Sequence, residues 1–126
     1  MLCIPNPRNM VTAQLLNIGS ELFGKKWRVI VIYSLLNGPK RFSEIKLAVP
    51  GCSVKVLSEV LDELTSRNIL ERKQYATIPV KVTYEITADA MPLVATIPLY
   101  MIKLEVFISK NTELFDFPIR PIKLLT

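Results

Sequence analysis

The apolar positions between residues 50 and 67 predict a helix with two different faces. Pro50 and Gly51 interrupt the preceding structure, and Ser53 is a favourable N-cap. Apolar residues then recur at helical spacing and predict a buried face: Leu57, Val60, Leu61 and Leu64. The opposite face is polar from its N-terminal end onward and carries Lys55, Ser58, Glu59, Asp62 and Ser66. A buried rear with a polar first turn is typical of a helix that reads base edges in a DNA groove.

The residues before this helix predict three more helices. An apolar stripe predicts the first over about residues 7–23, with Asn6 as N-cap and Pro7 at the first helical position. A second helix spans about residues 25–36. After a short extended stretch, Ser43 is predicted to cap a brief helix in which Ile45 and Leu47 face inward. This brief helix, the turn with Gly51 and the helix after Ser53 together predict a helix-turn-helix.

After Asn68 the pattern changes from helical to alternating, which predicts two strands over residues 69–75 and 80–86. One face of the second strand carries Val80, Val82, Tyr84 and Ile86, and the other carries Lys81, Thr83 and Glu85. A hairpin directly after a helix-turn-helix is a wing, and its residues Lys73 and Lys81 are placed to meet the sugar-phosphate backbone. Charges on an exposed hairpin also serve solubility, so that alternative stays open.

A long final helix is predicted over about residues 88–110, with Thr87 as its cap. Its section 99–108 is apolar on almost every side, which indicates burial in a larger assembly or in lipid. Two prolines and two charges between residues 91 and 108 disfavour lipid, so we expect a homodimer interface with the first helix as partner. Pro92 is expected to remove one helical hydrogen bond, and Pro98 to kink the middle. The tail, residues 111–126, either crosses the dimer as an extended arm or frays.

Composition and charge narrow the class of partner. The chain has 126 residues, half of them apolar, which is enough for one domain with one core. So high an apolar fraction in a small chain suggests that part of the apolar surface faces a second subunit. Its net charge is +5, and its calculated isoelectric point is about 9.4. Residues 25–55 hold seven basic residues, Lys40 and Arg41 among them, against the single acid Glu44. This basic segment favours a polyanionic partner.

Several chemistries find no support in the sequence. It has no histidine, and Cys3 and Cys52 do not have the spacing of zinc ligands. The four glycines form no phosphate-binding loop, so we expect neither an enzyme nor a cofactor or metal. The scarce cysteines and the absence of a signal peptide favour the cytoplasm and no membrane. Cys52 beside the N-cap could sense oxidants, whereas the alternative is a buried apolar filler.

Residues 23–93 resemble the HxlR family of winged helix-turn-helix transcription regulators. The matching blocks are GKKW at 24–27, LLNGPKRFSEIKLAVPGCS at 35–53, VLSEVLDEL at 56–64, ILERKQY at 69–75, IPVKVTYEIT at 78–87 and MPLV at 91–94. The resemblance implies a homodimer on a pseudo-palindromic operator, with the first and last helices at the dimer interface. It places Arg41 near the DNA backbone, and it places on the groove-facing part of the recognition helix Ser53, Lys55, Ser58 and Glu59.

The chain also departs from the family pattern. Gln14 stands where family members often carry a cysteine, which some of them use as a redox sensor, and Cys3 lies too far upstream to be the same residue. Asn68 and Ala90 stand where glycine is common. Glu59 and Asp62 make the recognition helix less basic than usual, although glutamate can accept a hydrogen bond from cytosine N4 and so discriminate between bases.

The sequence therefore predicts a mainly helical α+β fold: one winged helix-turn-helix domain over residues 1–126, with a DNA-binding core at about 25–87. Its predicted function is a transcription regulator that binds double-stranded DNA as a homodimer. The alternative is a winged-helix protein-interaction module that does not read DNA sequence, for which Glu59 and Asp62 are the motivating residues. No small-molecule effector can be named.

Overall fold

The structure, a computed structural model, describes residue 6 and residues 8–115, and this part of the chain is mainly helical with one two-stranded antiparallel sheet. Its helices are α1 (Met10–Phe23), α2 (Lys26–Ser34), α3 (Phe42–Ala48), α4 (Val54–Ser66), α5 (Met91–Val94) and α6 (Ile97–Ser109). The strands are β1 (Leu70–Tyr75) and β2 (Lys81–Ile86), and a 3-10 turn follows at Thr112–Leu114. The predicted fold class is thus confirmed.

One core joins α2, α3, α4 and the sheet. The predicted apolar face of α4 is buried at all four positions, Leu57, Val60, Leu61 and Leu64. It packs with Val31 and Ile32 of α2 and with Leu35 at the C-terminal end of that helix. It also packs with Ile45 of α3 and with Leu70 and Ile86 of the strands. Because the rear of α4 is fixed by this core, its other face is held at the surface in one orientation.

The turn into α4 has the predicted chemistry. The Val56 backbone N–H donates to Ser53 Oγ at 3.1 Å, so Ser53 caps the helix. Gly51 has a φ of +89°, a left-handed conformation that a side chain would strain. Helix α4 therefore begins where the sequence predicts.

The brief helix α3 differs from its prediction in two ways. It starts two residues early, because Glu44 Oε1 accepts the Arg41 backbone N–H at 2.9 Å and makes Arg41, rather than Ser43, the N-cap. Leu47 is 84% exposed rather than inward-facing. It lies two residues after buried Ile45, about 200° around a helix of 3.6 residues per turn, and therefore on the opposite side.

The wing is antiparallel, with Tyr75 opposite Lys81 and Leu70 opposite Ile86. Lys40 adds a bridge on the other side of β2: its N–H donates to the Tyr84 carbonyl at 3.0 Å, and the Tyr84 N–H donates back at 2.8 Å. The segment before α3 thus covers part of β2. Thr83, on the face predicted to be polar, is only 5% exposed.

The start of α1 is a correction. Asn9, not Asn6, caps the helix, and Asn9 Oδ1 accepts the Val11 N–H at 2.8 Å. Asn6 instead forms a preceding turn, since its carbonyl accepts the Asn9 N–H and its side chain accepts the Arg8 N–H. Pro7 lies outside the described residues.

The predicted final helix is two helices, α5 and α6, separated at Ala95 and Thr96. Pro98 has no N–H to donate to the carbonyl four residues earlier, so the chain breaks in the turn before Pro98 instead of kinking at mid-helix. Pro92 lies in the first turn of α5, where an N–H has no helical partner to lose, so it removes no helical bond. The Ala90 N–H does donate to Thr87 Oγ1, as a cap of the preceding turn.

One stretch of the described chain, Met91–Ser109, reaches the length and mean hydropathy (1.6) of a membrane span. The break divides it into helices of 4 and 13 residues, whereas a bilayer needs about 20 in one helix. The tail prediction concerns residues 111–126, of which residues 116–126 lie outside the described chain.

Candidate nucleic-acid interface

The N-terminal half of α4 presents polar side chains to solvent. Ser53, Lys55 and Glu59 are exposed, and Ser58 is half-buried. Asp62 continues the same exposed side farther along the helix. The predicted groove-facing residues therefore share one accessible surface, with the buried residues Leu57 and Leu61 directly behind them.

A polar groove lies between the start of α3 and the wing. Arg41 lines it from α3, while Tyr75, Lys81 and Thr83 line it from the sheet. Lys81 Nζ lies 5.3 Å from the centre of the Tyr75 ring, within cation–π distance. Neither Arg41 nor Lys81 takes part in an ion pair with another described residue. The structure thus brings together two predicted contact residues that are 40 positions apart in the sequence.

Two other predicted contact residues have protein partners. Lys40 Nζ donates to Asn37 Oδ1 at 2.6 Å. Lys73 forms an ion pair with Glu85 across the strands, and the hydrogen bond and charge of Glu85 raise the pKa of Lys73. Glu71 stands directly opposite Glu85, a like-charge pair that the diagonal Lys73 offsets. Of the two wing lysines, Lys81 is therefore the one with an uncompensated charge.

Arg28 is the main departure from the charge pattern expected of residues 25–55. It is 4% exposed, and its guanidinium donates to Glu63 Oε2 from Nε at 2.9 Å and from Nη2 at 2.5 Å. The charge of Arg28, one of the basic residues expected to attract DNA, is thus neutralised by Glu63 within the protein. A sequence signal existed, because Arg28 precedes buried Val31 and Ile32 by three and four residues and so shares their helix face.

A second ion pair, between Arg67 and Glu21, lies beside the first and links α4 to α1. The hydrogen bond and charge of Arg67 lower the pKa of Glu21. The charge of Lys25 also contributes to the lowered pKa of both Glu21 and Glu63.

Cys52 is 1% exposed and packs in the core next to the α4 cap. Its Sγ lies 3.7 Å from the Ser53 carbonyl oxygen. This burial supports the apolar-filler alternative over oxidant sensing, because an oxidant must reach the sulfur. Among the described residues no group of three or more histidine, cysteine or acidic side chains could hold a metal ion.

Comparison with known proteins identifies relatives with the same architecture. YkvN of Bacillus subtilis, an uncharacterized HTH-type transcriptional regulator, is 41% identical over 70 residues, which are 56% of this chain and 59% of YkvN. The HTH-type transcriptional regulator YodB of the same organism is 43% identical over 75 residues, 60% of this chain and 67% of YodB. The matched stretch therefore spans about three fifths of YkvN and two thirds of YodB.

Solved structures of similar proteins have the same fold as this chain. The crystal structure of diamide-treated YodB superposes with a TM-score of 0.63 at 33% identity, covering 82% of this chain and 95% of YodB. A transcriptional regulator of the MarR family from Enterococcus faecalis reaches a TM-score of 0.72, covering 84% of this chain and 98% of that one. At 23% identity the second likeness shows the fold alone.

The family model described as HxlR-like helix-turn-helix matches residues 22–111, which run from the end of α1 to the end of α6. This range contains the recognition helix, the wing and the groove between α3 and the sheet. The relatives are named as transcriptional regulators and not as enzymes. The chain therefore belongs to the HxlR-like helix-turn-helix family of transcription regulators.

Proposed function

We propose that this protein binds double-stranded DNA as a homodimer, at a pseudo-palindromic operator, and regulates transcription by occupying it. The observations that carry the proposal are the exposed polar N-terminal half of α4 and the cations Arg41 and Lys81, which form no ion pair with another described residue. Lys55 and Arg41 supply attraction to phosphate, and Ser53, Ser58 and Glu59 stand where base edges would be read. The mechanism is occupancy of DNA and involves no catalysis.

The homodimer is supported by apolar surface that the single chain leaves uncovered. In α1 the side chains of Met10, Val11, Leu15, Leu16 and Ile18 are exposed, and in α6 those of Leu99, Tyr100, Leu104, Val106 and Phe107. Large exposed apolar surfaces often mark protein–protein interaction sites. A second copy that packs against α1 and α6 would cover these residues and set the distance between the two copies of α4. We place such a dimer in the cytoplasm, in contact with DNA.

Two of the predicted contact residues, Lys73 and Lys40, are expected to contribute less to DNA binding than the sequence suggests. Lys73 is neutralised by Glu85, and Lys40 is held by Asn37 and by its backbone bridge to β2. We therefore assign the wing's contribution to Lys81. Redox sensing at Cys52 is not part of the proposal, because the thiol is buried.

The second candidate function is a protein-interaction module. Glu59 and Asp62 favour it, since both are exposed on α4 and phosphate would repel them. A salt titration of binding to duplex DNA separates the two functions. The regulator requires log K to fall with log salt by about 0.9 for each phosphate neutralised. Binding to a protein partner with no affinity for duplex DNA at any salt concentration would favour the interaction module.

A further inference from the structure

Val54 is an apolar side chain on the accessible surface of α4. It is 59% exposed, whereas the residues of the buried face of that helix are at most 7% exposed. The remaining apolar residue of α4, Val56, is partly buried against the same core. Val54 is not part of that core, so its side chain is accessible to a partner outside the chain.

The stability of α4 does not account for a valine at position 54. The first turn of a helix favours acidic and small polar residues, because its N–H groups lack helical partners and the helix dipole is positive there. Helix α4 has no acidic residue in its first turn. A β-branched side chain also loses χ1 freedom in a helix, and an exposed one gains no burial in return. The apolar side chain of Val54 therefore contributes little to folding, which points to a contact with a partner.

The neighbours of Val54 indicate where that contact is made. Ser53 and Lys55 flank Val54 and are exposed, and Ser58 follows one turn later on the same side of the helix. These three residues belong to the surface that we propose to face DNA. In the major groove the apolar group that a base pair presents is the C5-methyl of thymine. Because an apolar side chain gains from contact with an apolar group and not with phosphate, thymine is the base that suits Val54.

The backbone and the side chain of Val54 are both restricted in the free protein. The Val56 N–H donates to Ser53 Oγ at 3.1 Å, and the Leu57 N–H donates to the Ser53 carbonyl at 2.9 Å, so the turn that contains Val54 is closed by two hydrogen bonds. Branching at Cβ restricts the χ1 angle of valine. Little conformational entropy is therefore lost when Val54 contacts a base.

We propose that Val54 is a specificity-determining residue that packs against the C5-methyl group of one thymine in each half-site of the operator. The proposal rests on the proposed DNA-binding function and names a base preference within it. Contacts to phosphate from Arg41 and Lys55 carry no sequence information, and Glu59 would read a cytosine. Val54 adds recognition of a methyl group, which hydrogen-bonding side chains do not provide.

The test uses full-length protein and an operator fragment selected by the wild-type protein, in which each thymine is replaced in turn by deoxyuridine. Deoxyuridine keeps the hydrogen-bonding groups of thymine and lacks only the methyl group. We expect one replacement in each half-site to weaken wild-type binding about fourfold, the value of burying one methyl group. Val54→Ala should bind the thymine and deoxyuridine fragments equally well at that position, because its contact with the methyl group is lost.

Val54→Ile and Leu47→Ala are the matched controls. Isoleucine keeps a branched apolar side chain, so Val54→Ile should retain the preference for thymine. Leu47 is 84% exposed on α3 and is not part of the proposed reading surface, so Leu47→Ala should show the wild-type loss with deoxyuridine. Val54→Ala should keep the wild-type salt dependence, because it removes no phosphate contact. Its melting temperature without DNA should not fall, because alanine is the better helix former at an exposed position.

The outcomes separate this inference from the proposed function. If the wild-type protein binds the duplex and no deoxyuridine replacement weakens binding, Val54 does not read thymine and DNA binding stands. The same conclusion holds if each replacement weakens the wild-type protein and Val54→Ala alike. If the wild-type protein binds no duplex, the proposed function and this inference fail together.

Discussion

Arg28 of α2 and Glu63 of α4 are joined by two hydrogen bonds to a single carboxylate oxygen, at 2.9 and 2.5 Å. The same guanidinium donates from Nη1 to the Glu21 carbonyl at 2.8 Å, in the last turn of α1 where helical partners are missing. One buried side chain thus ties α1 and α2 to the C-terminal half of the recognition helix. Its partner Glu63 is about half exposed, so the pair lies at the edge of the core.

Replacing Arg28 with methionine should lower the free energy of unfolding by about 2–3 kcal/mol, as judged by urea denaturation. Methionine preserves much of the apolar stem but leaves the Glu21 carbonyl without its donor. The matched control is Arg67→Met, which breaks the exposed Arg67–Glu21 pair and should cost about 0–1 kcal/mol. Equal losses in the two variants would contradict the assignment of Arg28 to the core.

The same pair predicts a dependence of stability on pH. The hydrogen bond from Arg28 is the main cause that lowers the pKa of Glu63 below its ordinary 4.5, against an opposing effect of partial desolvation. The unfolded chain then binds more protons below pH 4.5, so the stabilisation is present above that pH and is lost as pH falls through the folded pKa. Glu63→Gln should flatten the fall in melting temperature over this acid range.

Asp62→Asn is the control for the acid titration, because it removes a neighbouring carboxylate of α4 that forms no ion pair with the described residues. It should keep the wild-type fall in melting temperature. If the melting temperature of Glu63→Gln fell with pH in parallel with that of the wild-type protein, the Arg28–Glu63 pair would not be the cause of the acid destabilisation.

The dimer surface can be tested with single charges. Leu15 of α1 and Leu99 of α6 are exposed in the single chain and lie on the proposed interface. Leu15→Glu and Leu99→Glu should each convert the dimer to a folded monomer, because burying an unpaired carboxylate is costly. Sedimentation velocity measures the state, and circular dichroism confirms the fold.

Leu47→Glu provides the matched control for the dimer test. Leu47 is more exposed than either interface leucine and lies on α3, which is not one of the two helices of the proposed interface. The variant should sediment as the wild-type protein does. Monomers from all three variants, or dimers from all three, would argue against α1 and α6 as the interface.

Replacing Glu59 is expected to change the DNA sequence specificity with little change in the stability of the fold. Glu59 is exposed on the N-terminal half of α4. A glutamate that faces a base edge can accept a hydrogen bond from cytosine N4, whereas glutamine pairs with adenine. Glu59→Gln should therefore shift the preferred base at one position of each half-site in a selection from random duplexes. Lys55→Ala should instead weaken binding to all sequences alike. An unaltered preference after Glu59→Gln would assign Glu59 to the solvated surface.

Local patterns predicted α4 well, because its cap and its apolar positions depend on residues within a few turns. They failed where contacts between distant segments decide the outcome. Thr83 is buried on a strand that packs against α3, which is distant in sequence, and the burial of Arg28 depends on a carboxylate in α4. Leu47 is a different case, because local geometry was sufficient: a residue two positions from buried Ile45 lies about 200° around the helix and cannot share its inner face.

In the candidate site, too, some relationships between residues follow from local sequence and others depend on contacts between distant segments. Ser53, Lys55 and Glu59 lie on one helix, so their common face follows from helical spacing alone. The meeting of Arg41 with Lys81, and the neutralisation of Lys73 by Glu85, depend on the register of the hairpin and on its docking against α3. Sequence spacing does not encode either relationship.

The central claim is that two copies of this chain present two recognition helices to one operator. Selection of genomic fragments with the purified protein, followed by measurement of the number of chains bound per fragment, tests it most directly. We predict an inverted repeat with half-sites about one helical turn or a multiple apart, occupied by two chains. Fragments that share no inverted repeat, or that bind one chain each, would contradict the account.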